Sequence, residues 1–190
     1  MQAFLVSTLI VAVGEIGDKT QLLALLLAAR FRRPVPIVLG ILCATVANHA
    51  AASLLGAWIA SELGPETLRW ALGLSFIAIA VWALRPDSLE EEGAQPLGKY
   101  GVFMITLAAF FLAEIGDKTQ LATMALAARF NDIVAVVSGT TAGMLIADVP
   151  AVLLGGKASL KLPFKAIRYV AAALFAAMGV AALSGFQFGY

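Results

Sequence analysis

Apolar residues in this chain run on in long stretches, at about 3–29, 35–60, 68–84, 100–128, 133–155 and 167–186, with short polar clusters between them. Each stretch is near or above the roughly 17–25 residues that a helix needs to cross a bilayer. None shows the period of two that marks a barrel strand. The pattern predicts an all-α membrane protein with six transmembrane helices. Arg30, Arg32 and Arg33, with Pro34 and Pro36 beyond them, end the first span, and a turn from Ser61 to Glu66 ends the second. The polar segment from Arg85 to Lys99, with Glu90, Glu91 and Glu92 inside it, reads as the one true linker.

The chain also repeats itself. Glu15-Ile16-Gly17-Asp18-Lys19-Thr20-Gln21 returns unchanged as Glu114-Ile115-Gly116-Asp117-Lys118-Thr119-Gln120, an offset of 99. The same offset carries Arg30 onto Arg129, Gly40 onto Gly139, Arg69 onto Arg168 and Phe76 onto Phe175. Two three-helix repeats are predicted, at 1–84 and 100–190, joined by a cytoplasmic linker at 85–99. Three is odd, so the second copy enters the membrane from the other side, the inverted arrangement common among secondary transporters. The first and fourth helices become antiparallel partners.

Composition supports a membrane assignment and removes other classes. The chain is 61% hydrophobic and 13% charged, with a mean hydropathy of +0.92, whereas soluble domains are about 25% charged. A net charge of +1 without a basic face argues against nucleic acid. Cys43 stands alone, which excludes a disulfide framework and a thiolate zinc site. No nucleotide cradle or Ser-His-Asp set is present, so nothing suggests an enzyme, an ATP-driven pump or a prosthetic group. The N-terminus lacks the basic region of a signal peptide, and the first run reads as a retained helix. Arg30, Arg32, Arg33, Arg85, Lys99, Lys157, Lys161, Lys165 and Arg168 fall on one side of the predicted topology, against Arg69 and Arg129 on the other. The richer side is expected to be cytoplasmic, with both termini outside.

The repeated motif carries the chemistry. An unpaired charge inside an apolar run is expensive and persists with a partner or a job. On a continuous helix, Glu15, Asp18 and Gln21 form one stripe of oxygen-bearing side chains, repeated by Glu114, Asp117 and Gln120. Lys19, four residues after Glu15, is placed to neutralise it, and Lys118 does the same in the second copy. Gly17 and Gly116 leave room for close helix approach. Brought together, the copies offer four carboxylates and two amides, a hard-oxygen set suited to Mn²⁺, Ca²⁺ or Mg²⁺. A buried ion pair that only fixes helix packing is the structural alternative.

Three other intramembrane polar residues are candidates for the ion or proton pathway. His49 and Asp148 are related by the repeat and expected to face one cavity from opposite sides. Asn48 is expected either to join them or to bond across helices. Gly139, Thr140, Thr141 and Gly143 read as a small-residue packing face. Trp58, Trp70, Trp82 and Tyr190 lie near span ends, where aromatic rings favour the interface.

The doubled Glu-x-Gly-Asp-Lys-Thr in a six-span chain resembles the signature of the Gdt-type family. That family's eukaryotic members are Golgi calcium/manganese transporters exchanging for protons, and its bacterial members are manganese exporters. The resemblance covers essentially the whole chain. It implies that Glu15, Asp18, Glu114 and Asp117 are the functional acids, with Lys19, Thr20, Lys118 and Thr119 matching the motif beside them. It further implies a secondary transporter in a bacterial inner membrane, exporting a divalent cation for protons. Manganese is preferred on that resemblance and because an available imidazole suits Mn²⁺ better than Ca²⁺. A Ca²⁺/H⁺ antiporter and a proton-coupled exporter of a small organic solute remain alternatives. The expected partners are the cation, protons and the lipid bilayer. A homo-oligomer is compatible with the sequence.

Overall fold

The computed structural model describes residues 1–85, 101–154 and 164–185. The acidic linker, Lys99, Lys157, Lys161 and Tyr190 lie outside the described residues. Among those described, the chain is helical: α1 Gln2–Glu15, α2 Lys19–Phe31, α3 Pro34–Glu62, α4 Pro65–Ala83, α5 Val102–Glu114, α6 Lys118–Phe130, α7 Ile133–Leu154 and α8 Phe164–Leu183. Three of these, α3, α4 and α7, are long and apolar enough to cross a membrane, while α1, α5 and Arg168–Leu183 of α8 are shorter apolar helices.

The boundaries follow local chemistry. Pro34 and Pro65 open α3 and α4 in the first turn, where a missing N–H leaves nothing unpaired. The turn between those helices is accordingly only Leu63 and Gly64, shorter than the polar cluster suggests. Arg32 and Asn131 close α2 and α6 in the left-handed conformation, at φ 54° and 50°, each donating its amide to the carbonyl four residues back.

The main departure from the sequence expectation is in the first and fourth spans, which are not continuous helices. Each breaks inside the motif, after Glu15 and after Glu114. Ile16 and Ile115 are extended, and Gly17 and Gly116 have φ of +83° and +74°. Asp18 and Asp117 then cap the next helix. A Cβ on Gly116 would meet nothing within 4 Å, so this glycine supplies the left-handed turn and not the close approach expected of it.

The repeat extends to packing. α1 lies against α7 as α5 lies against α3, α2 meets α7 as α6 meets α3, and α4 packs on α8. The segments predicted as first and fourth spans meet as α1 against α6 and α2 against α5, but their main neighbours are α7 and α3. Glycines set these crossings. A Cβ on Gly40 would stand 2.9 Å from the Phe103 carbonyl oxygen, and one on Gly139 would stand 2.5 Å from the Phe4 carbonyl oxygen. Gly143 meets the α1 backbone in the same way, so the small-residue face of α7 packs as expected. One apolar cluster joins Leu72, Phe76 and Ile79 of α4 to Leu126 of α6 and Phe175 and Met178 of α8. A second joins Ala24 and Leu27 of α2 to Ile37 and Ile41 of α3 and Met144 of α7. The two motifs lie among these layers.

The two kinds of glycine respond differently to substitution. Gly116→Ala is expected to lose about 1–2 kcal/mol from backbone conformation alone, and Gly116→Asn to lose less, because Asn visits the left-handed region. Gly139→Ala is expected to lose roughly 1–3 kcal/mol by forcing α1 off α7, with no recovery from Asn. Thermal unfolding of the four variants in detergent measures both effects.

Candidate cation site at the two helix breaks

A helix that stops inside an apolar protein leaves its last carbonyls and the next helix's first amides without partners. Here the motif side chains supply them. The Gly17 amide donates to Gln21 Oε1 at 2.9 Å, and the Gly116 amide to Gln120 Oε1 at 2.8 Å. The Asp18 amide reaches back to the Glu15 carbonyl at 3.0 Å, and that of Asp117 to the Glu114 carbonyl at 3.2 Å. Asp18 Oδ1 accepts from the Lys19 amide and Asp117 Oδ2 from the Thr119 amide, placing each carboxylate at a positive helix terminus. Asn48 Nδ2 donates to the Phe111 carbonyl at 3.1 Å, satisfying an oxygen in the last turn of α5. This is the cross-helix bond considered for Asn48.

The continuous-helix stripe expected from Glu15, Asp18 and Gln21 is interrupted by the break, although in the second copy Glu114 and Asp117 still share the Thr119 hydroxyl, at 3.2 and 3.3 Å. Gln21 braces the turn through Oε1 and pins α2 to α7 through Nε2, which donates to the Ala147 carbonyl at 3.0 Å. Gln120 Oε1 is likewise engaged with its own turn.

What the breaks bring together is a set of carboxylates. Glu15, Glu114 and Asp117 each offer an oxygen, and the three lie within 4.8 Å of one another. Oxygens across a cation bound at 2.3–2.6 Å stand roughly 5 Å apart, so one ion fits between them. Glu15 and Glu114 are fully buried, at 0% exposure. Thr20 donates to Glu15 Oε2 at 2.6 Å and Thr119 to Glu114 Oε2 at 3.2 Å. Both Oε1 atoms have no hydrogen-bond partner. Asp148 on α7 is fully buried, and both its oxygens lack hydrogen-bond partners. His49 is as deeply buried, with neither ring nitrogen hydrogen-bonded.

The lysines do not pair as expected. Lys19 Nζ lies 3.1 Å from Asp117 Oδ1, and Lys118 Nζ 3.1 Å from Asp18 Oδ1. Each lysine reaches the aspartate of the other repeat instead of the glutamate of its own. The helix break removes the i,i+4 geometry that would have joined Lys19 to Glu15. Two features escaped sequence reasoning. Offset identity cannot distinguish a pair within one copy from a pair exchanged between copies. Pro150, two residues after Asp148 within α7, was the available signal of a weakened helix beside the site: it removes the amide that the Ile146 carbonyl would use.

Comparison with known proteins follows the same lines. The family profile described as "Divalent cation/proton antiporter GDT1" matches residues 3–91 and 102–187. A protein of Vibrio cholerae named "Putative manganese exporter" is 48% identical over 182 residues, 95% of this chain and 90% of that one. The "GDT1-like protein sll0615" of Synechocystis is 34% identical over 83% of this chain and 84% of its own length. The "Protein PAM71-homolog, chloroplastic" of Arabidopsis thaliana is 27% identical over 93% of this chain and 57% of its own. No solved structure matches the chain. With both repeats matched and the doubled motif at the centre of the packing, the chain belongs to the GDT1 divalent cation/proton antiporter family.

Proposed function

We propose that this protein exports Mn²⁺ across the membrane in exchange for protons, using Glu15, Glu114, Asp117 and Asp18 as the acids that bind the ion. The observation that carries the proposal is the convergence of three buried carboxylates from two repeats within 4.8 Å. Hard oxygen donors suit Mn²⁺ and Ca²⁺. The resemblance to a protein named as a manganese exporter favours Mn²⁺ over Ca²⁺.

Charge drives the exchange. The four motif acids and two motif lysines leave a net charge of −2 before Asp148 is counted. One divalent cation offsets most of the negative charge, and when the ion leaves, protons must take its place because bare carboxylates are costly in a low-dielectric interior. Metal and protons therefore compete for the same oxygens. Glu15 and Glu114 each keep one carboxylate oxygen without a hydrogen-bond partner, which suits them to carry either. Asp148, buried without hydrogen-bond partners and next in sequence to the carbonyl that holds Gln21, serves as the next stop for a proton. Gln21 and Gln120 hold the turns, and His49 lines the pathway from α3.

The supporting architecture is six spans in two inverted repeats, with each helix break at mid-membrane, as in transporters built from discontinuous helices. Residues 1–84 and 100–190 form the repeats. The 85–99 segment faces the cytoplasm and both termini lie outside.

Proteoliposomes test the exchange directly. An outward Mn²⁺ gradient should move protons inward, and an imposed pH gradient should drive Mn²⁺ against its own gradient. Glu15→Gln and Glu114→Gln should abolish both movements. Transport that ignores the pH gradient while these variants stay active would make the protein a uniporter. A parallel flux assay with Ca²⁺ separates the two cations.

Sidedness is checked in a Cys43→Ser background, since Cys43 is exposed. On whole cells an impermeant maleimide should label Ser61→Cys, in the last turn of α3, and spare Arg85→Cys, beyond α4. The reverse pattern would invert the topology.

A further inference from the structure

The two exchanged lysine–aspartate pairs are alike in length but not in setting. Lys19 Nζ and Lys118 Nζ both stand 3.1 Å from their partner oxygens. The Lys118 side chain is 5% exposed and its Asp18 partner 0%, whereas the Lys19 side chain is 26% exposed over an Asp117 at 3%. The carboxylate triad contains Asp117, the aspartate under the more exposed lysine.

We propose that Lys19 and Lys118 act as tethered counter-cations, and that the aspartate completing the cation set alternates between Asp117 and Asp18 as one lysine and then the other is displaced. This rests on the divalent-cation reading above and extends it. In the present state Glu15, Glu114 and Asp117 form the set, Lys19 is the removable plug, and Lys118 seals Asp18. A cation reaching Asp117 competes with an ammonium 3.1 Å from the same carboxylate. The two like charges repel, so the incoming ion expels Lys19. A lysine ammonium is a point charge on a flexible four-carbon stem, so it can swing away without moving the backbone. Lys19 is already partly exposed, so its release uncovers little new charge. Lys118 lacks that route.

The repeat supplies the second state. Exchanging the roles of the two copies turns Lys19–Asp117 into Lys118–Asp18. The glutamates keep their place, Asp18 joins them, Asp117 is sealed by Lys19, and Lys118 becomes the plug. Access changes sides through exchange of one carboxylate, and the vacated aspartate is never left without a cation. Lys19 and Lys118 are then positioning residues that act through the aspartates.

Amine footprinting on the purified full-length protein tests this, with sulfosuccinimidyl acetate as probe, peptide mass spectrometry as readout and calorimetry of Mn²⁺ binding alongside. Without Mn²⁺, Lys19 should acetylate faster than Lys118. Saturating Mn²⁺ should accelerate Lys19 further and leave Lys118 protected. Lys19→Met removes the competitor, so its Kd for Mn²⁺ should fall about two- to fivefold, the scale of a partly exposed ion pair, and Lys19→Arg should restore the original value. A purely structural pair would instead give weaker Mn²⁺ binding in Lys19→Met. Equal acetylation rates, or a Lys19 rate that ignores Mn²⁺ while calorimetry registers binding, would overturn the alternation and leave the cation reading standing. Absence of Mn²⁺ binding to the unmodified protein would overturn both.

Discussion

Backbone polar groups inside an apolar protein must find partners, and two interior helix breaks make that demand at the centre of this fold. The motif Glu-Ile-Gly-Asp-Lys-Thr-Gln answers it nearly residue by residue. Gly takes the left-handed turn, Gln accepts the glycine amide, and Asp caps the following helix. Of the polar side chains, Glu, Lys and Thr remain for other work. Thr then orients Glu, and Lys crosses to the other repeat. One short sequence thus both stabilises a broken helix and presents a carboxylate at the break, where no side chain of a continuous helix could be turned the same way.

Duplication decides how the acids are paired. Each copy contributes Glu, Asp and one lysine, so the two together still hold two carboxylates without a lysine, a charge that is costly in low dielectric. With two copies, each aspartate receives a lysine from the opposite repeat, and the two glutamates meet at the crossing. The repeats are therefore bound to each other by charge as well as by packing. Breaking either lysine–aspartate pair affects both halves.

Packing positions the site more than it shapes it. α7 and α3 flank the breaks, and their glycines let α1 and α5 approach backbone to backbone. Tight helix contact of this kind relies on small residues wherever lipid supplies no hydrophobic drive for association. Gln21 fastens α2 to the Ala147 carbonyl, next to Asp148 and near the Pro150 interruption of α7. The α1–α2 break is thereby tied to the segment of α7 that carries the fifth buried carboxylate among the described residues.

The sequence alone determined the helical class, the internal repeat and which acids lie inside apolar runs, for physical reasons visible in single positions. Uninterrupted apolar runs exclude alternating strands, an offset of 99 superposes Gly40 on Gly139 and Glu15 on Glu114, and acids inside apolar runs mark chemistry. What it could not decide was how the motif is folded. The residues Ile16 and Gly17 fit a continuous helix by hydrophobic pattern, and the i,i+3 and i,i+4 spacings then place Asp18 and Gln21 with Glu15 and pair Lys19 with Glu15. Tertiary structure chose otherwise: the break is viable because Gln21, Asn48 and the aspartate caps, partly from other helices, satisfy the freed backbone groups. Once the helix is broken, Lys19 finds its anion 98 positions away in sequence at Asp117, a partner that no local spacing can reveal because identical motifs offer identical charges.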